Sequence, residues 1–264
     1  MLRFNKTITL ITSGNSWISK DTQSVTVKHA TKDWLTLITF MRFQSVLSIK
    51  NILKVYKKRR VNFMSSNYDE WNEIYRKYPL ESLGWELGRP RPILVKFVEK
   101  GLIKKGKALD ICCGAGTNTV YLAKKGFEVT GIDISPKAIE IAKKKAQQTN
   151  AKINLMVQSF VILPFGNEEF DFVFDMGCFH HVEIEDRSKF IMGVHRILKK
   201  GGNYLLTYFS YKNGPAWNHF RRKQIIDLFS ENFHIADVRH ISSIEGDGIR
   251  RYFYTALMEK RKEN

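Results

Sequence analysis

The residues best suited to chemistry by type and spacing lie in Ala108-Leu109-Asp110-Ile111-Cys112-Cys113-Gly114-Ala115-Gly116-Thr117. This run reads as an apolar strand, a glycine loop and the start of a helix. Gly114 and Gly116 let the backbone turn sharply and come close to a ligand, and the helix opening near Thr117 offers free amide groups. Seventeen residues beyond Gly116, Asp133 ends the next apolar run, where a carboxylate can accept both hydroxyls of a ribose. The pair of features indicates a nucleoside-containing ligand. In a dinucleotide fingerprint a third glycine stands three residues after the second and lets the helix pack beside a pyrophosphate. Here that position is Thr119. Asp110 would repel a pyrophosphate and suits an ammonium group, so S-adenosylmethionine is favoured over NAD.

The elements that must position these residues follow an alternating grammar from Met64 onward. Strands are predicted at Lys107–Cys112, Phe127–Ile132, Ile153–Val157, Phe170–Met176, Gly202–Phe209, His234–Ile241 and Arg251–Met258. Helices are predicted at Asp69–Tyr78, Arg91–Lys100, Thr117–Lys125, Pro136–Gln148, Asp186–Leu198 and Asn218–Phe229, the fourth entered through Ser135 as N-cap with proline at its first position. Strand–helix alternation implies an α/β fold with a doubly wound, Rossmann-like sheet of seven strands. The last two strands are separated by too few residues for a crossover helix. They should pair antiparallel at one edge of an otherwise parallel sheet.

Composition bounds the rest. The 264 residues are 43% hydrophobic and 26% charged, which excludes collagen-like, disulfide-scaffold and wholly disordered chains. The longest apolar run near the start, Trp34 to Met41, is broken by Arg42, far short of the roughly 18 residues a spanning helix needs. The formal charge of +17 is unevenly spread: residues 1–63 hold twelve basic and two acidic side chains, and the remainder 31 and 24. The body is therefore only moderately basic, its positive residues are dispersed, and no specific nucleic-acid partner is expected. Residues 1–63 read as a basic, poorly ordered extension and residues 64–264 as the folded domain. Within the extension, residues 34–60 form a basic amphipathic pattern that could meet an anionic membrane surface, and the acid-free first twenty residues could serve as a targeting presequence. Three cysteines make no disulfide framework and no zinc-like spacing. Cys112, Cys113 and Cys178 are expected as buried thiols in a reducing, cytoplasmic setting.

Three segments together carry a family resemblance. "ALDICCGAGTNTVYLAKKGFEVTGIDIS", "FDFVFDMGCFHHV" and "ILKKGGNYLLTYFS" resemble successive motifs of the class I S-adenosylmethionine-dependent methyltransferases. The preceding "WNEIYRKYPLESLGWELGRPRP" is similar to the thiopurine, thiol and tellurite-resistance type of small-molecule methyltransferase, whose N-terminal segment covers the cofactor. The resemblance implies that Asp110, Gly114 and Gly116 hold the methionine part of the cofactor, and that Asp133 and Ile134 hold the ribose and adenine side. Ser159 and Phe160 would flank adenine, with the Ser159 hydroxyl standing where many members have an acid. Asp175 and Met176 would lie near the transferable methyl, Trp85 would wall the pocket, and Arg89 or Arg91 would bind an anionic acceptor. His180 and His181 would border the acceptor site, His180 matching the subgroup better.

The reaction so implied is in-line displacement on a small-molecule acceptor, a thiol or another soft nucleophile, with His180 and Asp175 as candidate catalytic residues and no metal. A thiolate needs no enzymic base, whereas an oxygen or nitrogen acceptor would benefit from one. The alternatives are methylation of an oxygen or nitrogen acceptor, methylation of nucleic acid, and a catalytically silent cofactor-binding subunit.

Overall fold

The computed structural model describes residues 7–13, 16–24, 68–214 and 218–261. The chain divides into two units, Met1–Phe63 and Met64–Asn264. In the first, β1 (Thr7–Ser13) pairs antiparallel with β2 (Ser16–Ser24), Ile11 opposite Ile18. The sequence predicts no strands there, although Thr and Ile are residues that favour extended backbone. The amphipathic pattern at residues 34–60 lies outside the described residues.

The second unit is built on seven strands: β3 (Lys107–Ile111), β4 (Glu128–Asp133), β5 (Ile153–Val157), β6 (Phe170–Met176), β7 (Leu198–Phe209), β8 (Phe233–Ile244) and β9 (Arg250–Lys260). Their order is β5-β4-β3-β6-β7-β9-β8. The first five in that order are mutually parallel, and β9 runs antiparallel to both β7 and β8. The expected mostly parallel α/β sheet with an antiparallel C-terminal pair is therefore present, with β9 inserted inside β8. Burial explains the strand sequences. β6 is covered on both faces and reads as an unbroken apolar run around two aspartates, whereas the edge strand β8 alternates between covered and exposed positions.

Among the described residues six α-helices accompany the sheet: α1 (Tyr68–Lys77), α2 (Pro92–Glu99), α3 (Thr117–Lys124), α4 (Pro136–Gln148), α5 (Arg187–Ile197) and α6 (Arg222–Phe229). Ser135 caps α4 by accepting from the Ala138 amide, with Pro136 at the first helical position, as its sequence predicts. α6 starts later than expected. Phe220 is buried and forms a bridge with Ser210 instead of a helical turn. Two apolar layers sandwich the sheet: Leu109, Ile132, Val173 and Leu206 point to one, and Ala108, Phe172, Phe174 and Leu205 to the other. The chain order reverses between β3 and β6, which opens a crevice at the carboxyl ends of these strands, where open α/β sheets bind their ligands. Among the described residues no helix is long and apolar enough to cross a membrane.

Candidate active site

The glycine loop sits at that crevice. Gly114 and Gly116 adopt φ of 54° and 76°, and both are closely covered. A Cβ on Gly114 would stand 2.6 Å from the Tyr75 hydroxyl, and one on Gly116 2.8 Å from the Ala142 Cβ. Backbone and space therefore both demand glycine here. Asp133 ties the loop to β4: Oδ2 accepts from the Gly114 amide and Oδ1 from the Ser135 amide, each at 2.9 Å. Burial pushes its carboxyl up to about 6 against the lowering effect of these amides.

Asp110 does something different. Its Oδ2 accepts from the Thr119 hydroxyl at 2.6 Å, and burial pushes its carboxyl up to about 7. The residue standing where a dinucleotide fingerprint has its third glycine thus fastens α3 to β3 through Asp110.

A cap formed by α1 and the segment 80–91 covers the loop. Trp71 and Tyr75, one helical turn apart on α1, meet Trp85: the two indoles pack edge to face at 5.4 Å, and the Trp85 Nε1 donates to the Tyr75 hydroxyl at 2.9 Å. The Glu86 carboxylate accepts from the Ala115 amide and from the Thr117 hydroxyl. Arg91 joins the cap to the β8–β9 connection: Nη1 donates to both Glu245 oxygens at 2.8 and 2.7 Å, and Nη2 donates to the Trp85 carbonyl. Both terminal nitrogens are engaged and the pair is buried, so Arg91 is a clamp rather than an open anion receptor. Arg89 is exposed and stands outside the cavity.

At the end of β6 the chain makes a tight turn held by Asp175. Its Oδ1 accepts from the Cys178 amide at 2.7 Å and its Oδ2 from the Tyr204 hydroxyl at 3.2 Å. Asp175 is fully buried and its carboxyl is pushed up to about 7 by burial. It shapes the turn without reaching the cavity. That turn presents His180 and His181. The His180 ring lies 4.3 Å from the Phe209 ring, and its buried Nδ1 has no hydrogen-bond partner among the described residues. Burial holds His180 well below the usual histidine range and His181 at about 4, so both rings are neutral near pH 7.

Cys112 and Cys178 are joined by a disulfide, with Cα atoms 5.8 Å apart, and Cys113 is the buried free thiol. This corrects the expectation of three unpaired thiols. Sixty-six residues separate the two cysteines in sequence, but β3 and β6 are neighbouring strands, and the residues that follow them meet.

These parts enclose a cavity of about 390 Å³. Of the residues singled out from sequence, Trp85, Arg91, Asp133, Ile134, Phe160, Met176, His180 and His181 line it. Asp110, Gly114, Gly116, Ser159 and Asp175 stand behind its wall, the Ser159 hydroxyl accepting from the Val161 amide. Sequence reasoning missed Trp71, Tyr75, Phe209 and Phe253, which also line it. The spacing of Trp71 and Tyr75 was a usable signal. Phe209 and Phe253 were not legible, because they become neighbours only through the β7–β9 pairing. Among the described residues no cluster could hold a metal ion. The lining suits S-adenosylmethionine: the Asp133 carboxylate can accept ribose hydroxyls, Ile134 and Phe160 are apolar as a base requires, and Trp71, Tyr75, Trp85 and Phe209 offer aromatic rings to a sulfonium.

Residues 108–202 match the family described as a methyltransferase domain. The chain is 32% identical over 152 residues to a ubiquinone biosynthesis O-methyltransferase of Coxiella burnetii, covering 57% of this chain and 61% of that one. It is 32% identical over 126 residues to a probable thiol methyltransferase 2 of Arabidopsis thaliana, covering 47% and 56%. The chain thus spans about half the length of the curated relatives it matches. An N-methyltransferase of Bradyrhizobium japonicum, solved in complex with S-adenosyl-L-homocysteine, superposes with a TM-score of 0.58 at 16% identity, covering 73% of this chain and 99% of that one. Residues 64–264 carry the fold of the class I S-adenosylmethionine-dependent methyltransferases.

Proposed function

We propose that the protein transfers a methyl group from S-adenosylmethionine to a small-molecule acceptor, a thiol or another soft nucleophile. The observation that carries this reading is one continuous cavity. It runs from Asp133, Ile134 and Phe160, suited to a nucleoside, across the carboxyl end of β3 to Met176, His180 and His181 at and beyond the carboxyl end of β6. When bound, the cofactor supplies an electrophilic methyl on a sulfonium sulfur. The protein's own part is to orient and to exclude water. Asp133 receives the ribose hydroxyls, the cap of Trp71, Tyr75 and Trp85 shields the site, and Asp175 acts through the Cys178 turn as a positioning residue for His180. The cationic side chains on the cavity wall, Arg91 and Arg251, are paired with Glu245 and Asp247, which favours an acceptor without an anionic handle.

In this reading the neutral His180 ring places the acceptor without taking a proton from it. A thiol ionises in solution and needs no enzymic base. His180→Ala should therefore lower the rate only about tenfold, below the hundredfold or more that loss of a general base costs. The rate should rise with pH along the ionisation of the free thiol. A panel of thiols, phenols, amines and short RNAs, followed by methyl transfer from labelled cofactor, tests the proposal. Turnover of phenols or amines but not thiols, with His180→Ala inactive below about pH 8, would make His180 a general base and overturn the soft-acceptor reading. The neutral His180 ring on the cavity wall is what favours that second reading, an oxygen acceptor.

A further inference from the structure

We propose that the Cys112–Cys178 disulfide is a redox-active pair in the wall of the cavity, opened by small thiols while the cofactor is absent and shielded when it is bound. The shielding rests on the cofactor reading above. Three observations meet here. Cys112 lines the cavity, whereas Cys178 is fully buried, so the cavity is the route by which a reductant reaches the bond. Cys112 holds φ of 53°. A side chain at this left-handed position carries a strain that glycine would avoid, and such strain tends to persist at functional sites. The bond also joins the two loops that flank the crevice, one leading to Gly114 and the other to His180, so its state bears on both ends of the proposed site.

The exchange is balanced with an external thiol as reductant. A thiolate attacks the cavity-facing sulfur of Cys112, forming a mixed disulfide and expelling the Cys178 thiolate, which takes a proton from water. A second thiolate then attacks the external sulfur of the mixed disulfide. The thiol leaves as its own disulfide, and Cys112 is released as a thiolate that is protonated in turn. The two cysteines gain two electrons and two thiol molecules lose them. Cys113 takes no part, because burial pushes its thiol well above the usual range and it stays protonated. A molecule spanning from Asp133 to Met176 crosses the cavity wall where Cys112 stands, and so covers the sulfur under attack.

The test uses the full chain incubated with 2-mercaptoethanol, with and without saturating S-adenosylhomocysteine. Samples are quenched in acid, alkylated and read by peptide mass at Cys112, Cys113 and Cys178. Without S-adenosylhomocysteine, Cys112 and Cys178 should become alkylatable together under native conditions. With it, opening should slow at least about tenfold. Calorimetry in parallel reports whether S-adenosylhomocysteine binds. Binding without protection, opening only in denaturant, or free thiols at both positions before any reductant each overturn the proposal. Absence of binding overturns the cofactor reading and the shielding with it, while opening by the thiol still reports on the pair itself. Cys178→Ser should leave Cys112 alkylatable without reductant, and a Cys112 that stays protected in that variant also counts against cavity access.

Discussion

Replacing Arg91 by alanine is expected to cost about 3–5 kcal/mol of folding stability, the loss typical when one partner of a buried ion pair is removed and the other stays behind uncompensated. The Arg91 and Glu245 side chains are 6% and 3% exposed, and the guanidinium makes three hydrogen bonds of 2.7–2.9 Å, two of them to that carboxylate. Nearby, the cap meets the same connection through the backbone: the Gly246 amide donates to the Gly84 carbonyl at 2.8 Å, and a Cβ on Gly246 would stand 2.5 Å from the Glu86 carbonyl oxygen. Urea unfolding measures the loss directly. Changing both partners to leucine should recover most of it, because an apolar pair of similar volume removes the desolvation cost along with the attraction. A loss below about 1 kcal/mol in the single variant would place Arg91 in water and refute the clamp.

Asp133→Ala is expected to weaken binding of the cofactor by about 1.5–3 kcal/mol, roughly ten- to 150-fold, as a charge-assisted hydrogen-bond acceptor is lost. The same change deprives the Gly114 and Ser135 amides of their acceptor, so the loop that must approach the ligand loosens as well. The ionised carboxylate is the form that accepts ribose hydroxyls, and burial has pushed its titration up to about 6. Affinity should therefore hold above that pH and fall as the pH drops through about 6, by up to tenfold per unit. Calorimetric titration with S-adenosylhomocysteine at several pH values between about 5 and 8 checks both points. Unchanged affinity in the variant, or a flat pH profile, would remove Asp133 from the proposed role.

Much of this was legible in the chain itself because it depends on near neighbours. The run from Lys107 to Lys124 declares strand, loop and helix through its apolar residues, two glycines and Thr117. The Ser135-Pro136 entry to α4 is equally local. The positions of Gly114, Gly116 and Asp133 follow from these elements, since a short strand–loop–helix unit leaves few places for the loop and the next strand end. The parallel sheet and the antiparallel final pair follow from connection lengths, which decide whether two strands can be joined by a crossover or only by a turn.

What the chain could not declare depends on which strands become neighbours and which way their side chains turn. Asp110 and Asp175 sit near the ends of adjacent strands, where a polar residue is expected to face a ligand, yet each is turned behind the wall to hold Thr119 or the Cys178 amide. Sequence alone predicts Cys112 and Cys178 as separate thiols, because nothing in their spacing records that β3 pairs with β6. Arg91 finds Glu245 across 154 residues, and Phe209 meets Phe253 only through the register of β7 with β9. The sequence by itself thus determined the strand–loop–helix units and the residues offered at their carboxyl ends, since backbone propensity and hydrophobic period act over a few residues. Tertiary structure alone decided which of those residues line the cavity, which brace it, and which cysteines bond, because burying both faces of the sheet brings together groups separated by most of the chain.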